Sequence, residues 1–285
     1  MKRWIWLPCI LVFTGCYFDE RVPTEMVSMN QAQPLGKEKS LESDIRFDVG
    51  LLEIRGGEKP GTLYSMDLEY DKASYTPEVN YSPSAGESGR LSLRLESMHR
   101  IGIRRHEHGN TLRLAFNNSV PLNLDLNTGV GDTRLSLSGM KIARIRFESG
   151  VGGGRISAYE PNLIPCESIR IKNGVGRIEA VGLGNLNFRE LEFEGGVGGA
   201  NLDFTGEWKQ NADIRIQVGV GGVNVVMPRD IGVRLEAEKH FLSGLQLERF
   251  QKRDEYYYSE SYEKSTIRVS LRVAAGIGGF KVTWI

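Results

Sequence analysis

From residue 41 onward, apolar and polar residues alternate with a period of two. Ile45-Arg46-Phe47-Asp48-Val49, Leu52-Glu53-Ile54 and Leu91-Ser92-Leu93-Arg94-Leu95 each line up apolar side chains on one side of an extended chain. That period marks half-buried strands. Turn chemistry punctuates them at Tyr75-Thr76-Pro77 and Ser82-Pro83-Ser84-Ala85-Gly86. No stretch of ordinary helix length carries an apolar period of 3.6, so the chain reads as all-β.

The second half repeats itself. Gly-Val-Gly stands at Gly129-Val130-Gly131, Gly150-Val151-Gly152, Gly174-Val175-Gly176, Gly196-Val197-Gly198 and Gly219-Val220-Gly221, and Gly276-Ile277-Gly278 closes the series. The pivots lie 21, 24, 22 and 23 residues apart, with a last step of 57. A period of about 20–25 residues is that of a solenoid. Four residues before each pivot stand Leu126, Phe147, Ile171, Phe193, Ile216 and Val273; six before stand Leu124, Ile145, Ile169, Leu191, Ile214 and Leu271. Asp125, Arg146, Arg170, Glu192, Arg215 and Arg272 lie between them. After the pivot, apolar residues move to odd offsets, at Leu135, Ile156, Ala180, Leu202, Val225 and Val282. One residue has been inserted into the register, as a bulge or corner does, and glycine permits the backbone angles this needs. The expectation is a corner whose pivot valine points inward, in a column of its own.

The predicted architecture is an all-β fold, a β-solenoid of stacked coils of about 22 residues preceded by an N-terminal β region. The expected boundaries are an N-terminal β region over 41–110 and the solenoid over 111–285. A degenerate coil and a capping insertion near 239–265 account for the long last step.

The first residues read as a targeting segment. Met1-Lys2-Arg3 is a basic n-region, and the ten apolar residues Trp4 to Phe13 fall well short of the ~20 that span a bilayer. Phe13-Thr14-Gly15-Cys16 resembles a bacterial lipobox, with Phe13 in place of the usual leucine. It implies a signal peptide over 1–15, lipidation of Cys16, and a flexible tether over 16–40. Processing takes the charge from 36 basic against 36 acidic residues to 34 against 36. Neither balance calls for a nucleic-acid partner. Cys9 is then discarded and Cys16 carries lipid, which leaves Cys166 alone and no intramolecular disulfide. Glycine, at 34 of 285 residues, is concentrated in the repeat as structural punctuation.

Candidate chemistry is sparse. Gly150-x-Gly152 and Gly196-x-Gly198 reach Arg155 and Asn201 where a dinucleotide-binding loop needs its third glycine, and no helix follows. His106-Glu107-His108, with His99, has metal-ligand residue types, but Arg100, Arg104 and Arg105 flank it and oppose a cation. It is read as a polar turn, with no metal or cofactor. Tyr256, Tyr257, Tyr258 and Tyr262, interleaved with Glu255, Glu260 and Glu263, read either as an interaction surface or as a cap on the last coil.

The chain resembles the bacterial toast-rack proteins, including the LiaF-like C-terminal domain. The resemblance rests on Val120 to Gly139, the Ile145-to-Gly154 type of coil, Met227 to Glu236 and Ile267 to Val282. Val49 to Gly57 and Tyr75 to Tyr81 resemble the family's N-terminal domain. It implies stacked β-coils in an envelope-associated protein and brings no catalytic residue. The expected function is a non-catalytic scaffold or interaction module of the bacterial envelope, held to its membrane by a lipid anchor, with the outer membrane preferred and an envelope protein as partner. The alternatives are a regulatory component of envelope-stress sensing, and a surface adhesin or carbohydrate-active β-helix enzyme.

Overall fold

The computed structural model describes residues 24–84, 87–98, 109–238 and 244–285. The segment expected to be a signal peptide, Cys16, His99, His106–His108 and their arginines lie outside them. Among the described residues seventeen strands follow in chain order. The N-terminal set is β1 (Met26–Pro34), β2 (Ser40–Arg55), β3 (Thr62–Asp71), β4 (Tyr75–Ser84), β5 (Ser88–Ser97) and β6 (Thr111–Phe116). The repeat contributes β7 (Leu122–Ser136), β8 (Ile142–Val151), β9 (Gly154–Ser157), β10 (Cys166–Val181), β11 (Phe188–Asp203) and β12 (Ala212–Met227). Then come β13 (Gly232–Ala237), β14 (Gly244–Leu247), β15 (Phe250–Arg253), β16 (Tyr256–Ser259) and β17 (Arg268–Trp284).

Each repeat is one coil: a strand, a corner at the pivot, a second strand, and a connection to the next coil. Stacking makes two parallel sheets that share the long strands. Before the corner the ladder runs β5–β2–β7–β8–β10–β11–β12–β17–β13. After it the ladder runs β6–β2–β7–β9–β10–β11–β12–β17–β14. Residues four and six before every pivot are buried, as are those five after it. The local period of two therefore built the core directly.

The connections between coils close the third side of the core. Phe188 meets Trp208 edge-on with centroids 5.3 Å apart, and the Trp208 indole N–H donates to the Phe204 carbonyl at 2.8 Å. Buried Asn162 ties neighbouring coils together. Its amide oxygen accepts from the Ile142 N–H at 2.8 Å, and its amide nitrogen donates to the carbonyls of Ile142 at 2.8 Å and Ile164 at 2.6 Å.

Three expectations change. First, the pivot valines do not point inward. Val151, Val175, Val197, Val220 and Ile277 are exposed, because the inner angle of the corner is already filled by the buried residue three after each pivot, joined at Ser149, Asn173 and Val218 by a buried residue two before it. Asn173 and Ile178 do this around Val175. Second, the stack begins before residue 111. β2 pairs in register with β7, Val49 against Val130 and Gly50 against Gly131. Asp48-Val49-Gly50 is thus a seventh corner, and the sheets run unbroken across the 110/111 boundary. Third, part of the expected tether is strand. β1 pairs antiparallel with β3, and Val27 and Met29 are half-buried on alternate positions. The structure also shows that spatial order departs from chain order at both ends. β17, last in sequence, lies between β12 and the degenerate coil β13/β14. β2 likewise lies between β7 and β5/β6.

Candidate functional site

The corner is built from backbone first. Gly176 has φ +144°, and a Cβ there would overlap the carbonyl oxygen of Gly152 in the preceding coil. The same clash recurs at every glycine that follows a pivot. Glycine before the pivot faces the preceding carbonyl too, at 2.6 Å for a Cβ on Gly150. The glycines singled out by the repeat are therefore where one coil's backbone lies directly on the next. The pivots between them project outward in one column.

A trough opens on the outer face of the pre-corner sheet, with a volume of about 530 Å³. Its floor is β7, where Asn123 and Asp125 are short. One wall carries Glu42 and Asp44 on β2 with Arg90 on β5, and the other carries Arg144, Arg146 and Arg170 on β8 and β10. Most of these charges are matched. Arg90 donates to Glu42 at 2.8 Å, Arg146 to Glu148 at 2.8 Å, and Arg170 to Glu192 at 2.8 Å. Asp125 stands between its like-charged ladder neighbour Asp44 and Arg146. Loss of hydration pushes its carboxyl above the ordinary carboxylate value; Arg146 opposes the shift, and Asp44 adds to it. That volume lies within the roughly 300–1,000 Å³ of ligand pockets, and both signs of charge line the trough. Sequence reasoning placed Asp125, Arg146 and Arg170 outward but did not join them to Glu42 and Asp44. Reading the outward column five residues before each pivot, from Asp44 to Arg170, is the signal that finds this row.

The tyrosines form a cluster on β16 and the turn after it. Tyr258 meets Tyr262 at 4.9 Å and Tyr256 at 6.3 Å, both edge-on. Each ring carries one of the chain's own cations: Arg234 over Tyr256, Lys252 over Tyr257, Arg253 over Tyr258 and Arg268 over Tyr262, at 5.1–5.5 Å. β16 also pairs antiparallel with β13. The rings are half-buried and bind the hairpin to the last coil, which is the geometry of a cap. Cys166 is buried in the core, and burial pushes its thiol up to about 12, which favours the neutral thiol.

A family model described as the N-terminal domain of toast_rack, DUF2154, matches residues 21–179 and 162–226. Two solved bacterial structures are similar over most of the chain. One, named as a candidate cell adhesion protein from Clostridium sporogenes, is 19% identical with a TM-score of 0.49, covering 92% of this chain and 100% of that one. The other, named as a candidate adhesin from Bacteroides fragilis, is 12% identical with a TM-score of 0.39, covering 90% and 97%. No curated protein matches.

Proposed function

The chain belongs to the toast-rack family, and from that premise we propose that it is a non-catalytic interaction scaffold of the bacterial envelope, anchored by lipid on Cys16. The trough carries this reading. It lies on in-register parallel strands, so its walls are fixed by ladder hydrogen bonds rather than by loops. Its charges are held mostly in ion pairs, a surface prepared to recognise a partner bearing both signs of charge.

A photo-crosslinking residue in place of Asn123, introduced into the full chain in intact cells, tests the reading. A discrete adduct that disappears when Arg144→Glu and Arg146→Glu are added is the expected result. An adduct indifferent to those charges, or none, sinks it. The anchor has its own test. Cys16→Ser is expected to move the protein from the membrane fraction to the soluble fraction, and continued membrane retention would sink the lipid-anchor part alone.

A further inference from the structure

Among the described residues the two sheets end in four edge strands. The pre-corner sheet ends in β4 and β15, and the post-corner sheet in β1 and β14. An edge strand leaves half of its backbone N–H and C=O groups without a ladder partner, and proteins blunt such edges with proline, charge or shortness. Three of the four are blunted. β4 carries Pro77, Glu78 and Pro83, β15 has four residues of which Lys252 and Arg253 are charged, and β14 has four residues beginning at Gly244. β1 is not. It runs for nine residues without a charge, and its one proline, Pro34, is the last of them. Its neighbour does not force this. Asp67 and Glu69 of β3 stand opposite Asn30 and Ser28, so a lysine at either place would gain a cross-strand ion pair and guard the edge at once.

An open strand edge takes another strand, and the residues of β1 say whose. Two identical strands paired antiparallel about a two-fold axis bring their own charges close to one another, which costs stability. A strand that pairs with itself is therefore best left uncharged, whereas one that selects an unlike partner is free to use charge. The polar side chains of β1 are Ser28, Asn30, Gln31 and Gln33. Each both donates and accepts, so each is able to bond to its own kind, as lysine or glutamate is not. The two faces match as well. The two-fold sets every residue opposite one of its own parity, so half-buried Val27 and Met29 lie on a face that runs on into the half-buried face of the other copy, with exposed Ser28, Asn30 and Ala32 kept outward. We infer that two copies of this chain associate by antiparallel pairing of β1 with β1, which joins their post-corner sheets into one.

The seam is narrow. Nine residues at ~3.4 Å each make a joint about 30 Å long and one strand deep. It is held by backbone hydrogen bonds and covers little beyond the strand itself, well short of the ~800 Å² per partner of a standard stable interface. The dimer is therefore reversible and concentration-dependent.

Sedimentation of the full chain over a concentration series tests this, together with Ser28→Lys/Asn30→Lys. Both sites are exposed and face acids of β3, so the variant keeps the fold, which an unchanged thermal melt verifies. The expected result is a reversible dimer in the parent and at least a tenfold higher Kd in the variant. A cysteine scan locates the axis, with Ser28→Cys, Met29→Cys, Asn30→Cys, Gln31→Cys and Ala32→Cys made one at a time. Each step off the two-fold moves a residue two positions, about 7 Å, from its own copy, and a disulfide needs Cα atoms within ~7 Å. One of the five is expected to crosslink to itself above the level of the unsubstituted chain, with several-fold lower yield on either side. A monomer at every concentration overturns the inference, as does a dimer that the lysines leave intact. Equal crosslinking at all five positions, or at none, overturns it too. An adduct in intact cells between these cysteines and a different protein, without any dimer, overturns it in favour of a partner's strand. None of these outcomes bears on the trough, which lies on the other sheet, so the scaffold reading stands or falls separately.

Discussion

Gly176→Ala is expected to destabilise the protein by about 4 kcal/mol or more, against a typical total of ~5–15 kcal/mol. Two costs combine. A φ of +144° lies in a region that alanine occupies only under strain, on the order of 1–3 kcal/mol. The added methyl also meets a backbone oxygen that cannot swing aside. That oxygen belongs to Gly152, whose own N–H is bonded to the Val175 carbonyl at 2.8 Å. The coils on either side must separate or both must shift. Since stacked repeats stabilise one another through neighbours, a break in the middle loosens each half. Val175→Thr, one residue away, is expected to change stability by less than about 0.5 kcal/mol, because the side chain stands in solvent and the backbone is unchanged. Urea unfolding of the two variants at low concentration measures the contrast. Equal midpoints would mean that the corner is not the rigid contact described.

Asn162→Ala is expected to cost about 3 kcal/mol. The side chain is buried, and its loss leaves the Ile142 N–H without its acceptor and strips the carbonyls of Ile142 and Ile164 of a shared donor. A third carbonyl, that of Leu186 in the next coil, lies 3.2 Å from the same amide nitrogen. Each buried polar group left unpaired costs on the order of 1–3 kcal/mol, and a cavity adds to it. Asn162→Asp is expected to be at least as damaging, since it keeps the acceptor for Ile142 but aims a second oxygen at carbonyl oxygens. Thermal melts of the three proteins decide. An aspartate variant as stable as the parent would show that the amide donor is not what joins the coils.

The strands and their buried faces were legible because burial in a strand alternates residue by residue. Phe147, Ile171 and Phe193 announce their side within a few positions. The change of parity at the pivot was legible for the same reason. Its direction was not. A slip of one residue is satisfied whether the pivot points in or out, and only the filled inner angle, with Asn173 and Ile178 around Val175, settles it. β1 escaped notice because it is covered on one edge by β3 alone, so half-burial tolerates Gln31 and Gln33 where a core strand would show valine or leucine. The trough joins Asp44 to Asp125 across 81 residues of sequence, a neighbourhood that no local period carries.

By itself, then, the sequence determined the all-β class, the coil length, the inward columns and the glycines of the corner, because each follows from backbone sterics or from a short-range period. The tertiary structure alone decided which coil lies on which, with β17 slipped between β12 and β13/β14, and so which outward side chains meet. Parallel coils of one repeat offer nearly identical edges to one another. Their order is therefore chosen by the sum of long-range contacts, and with that order come the trough and the exposed pivot column.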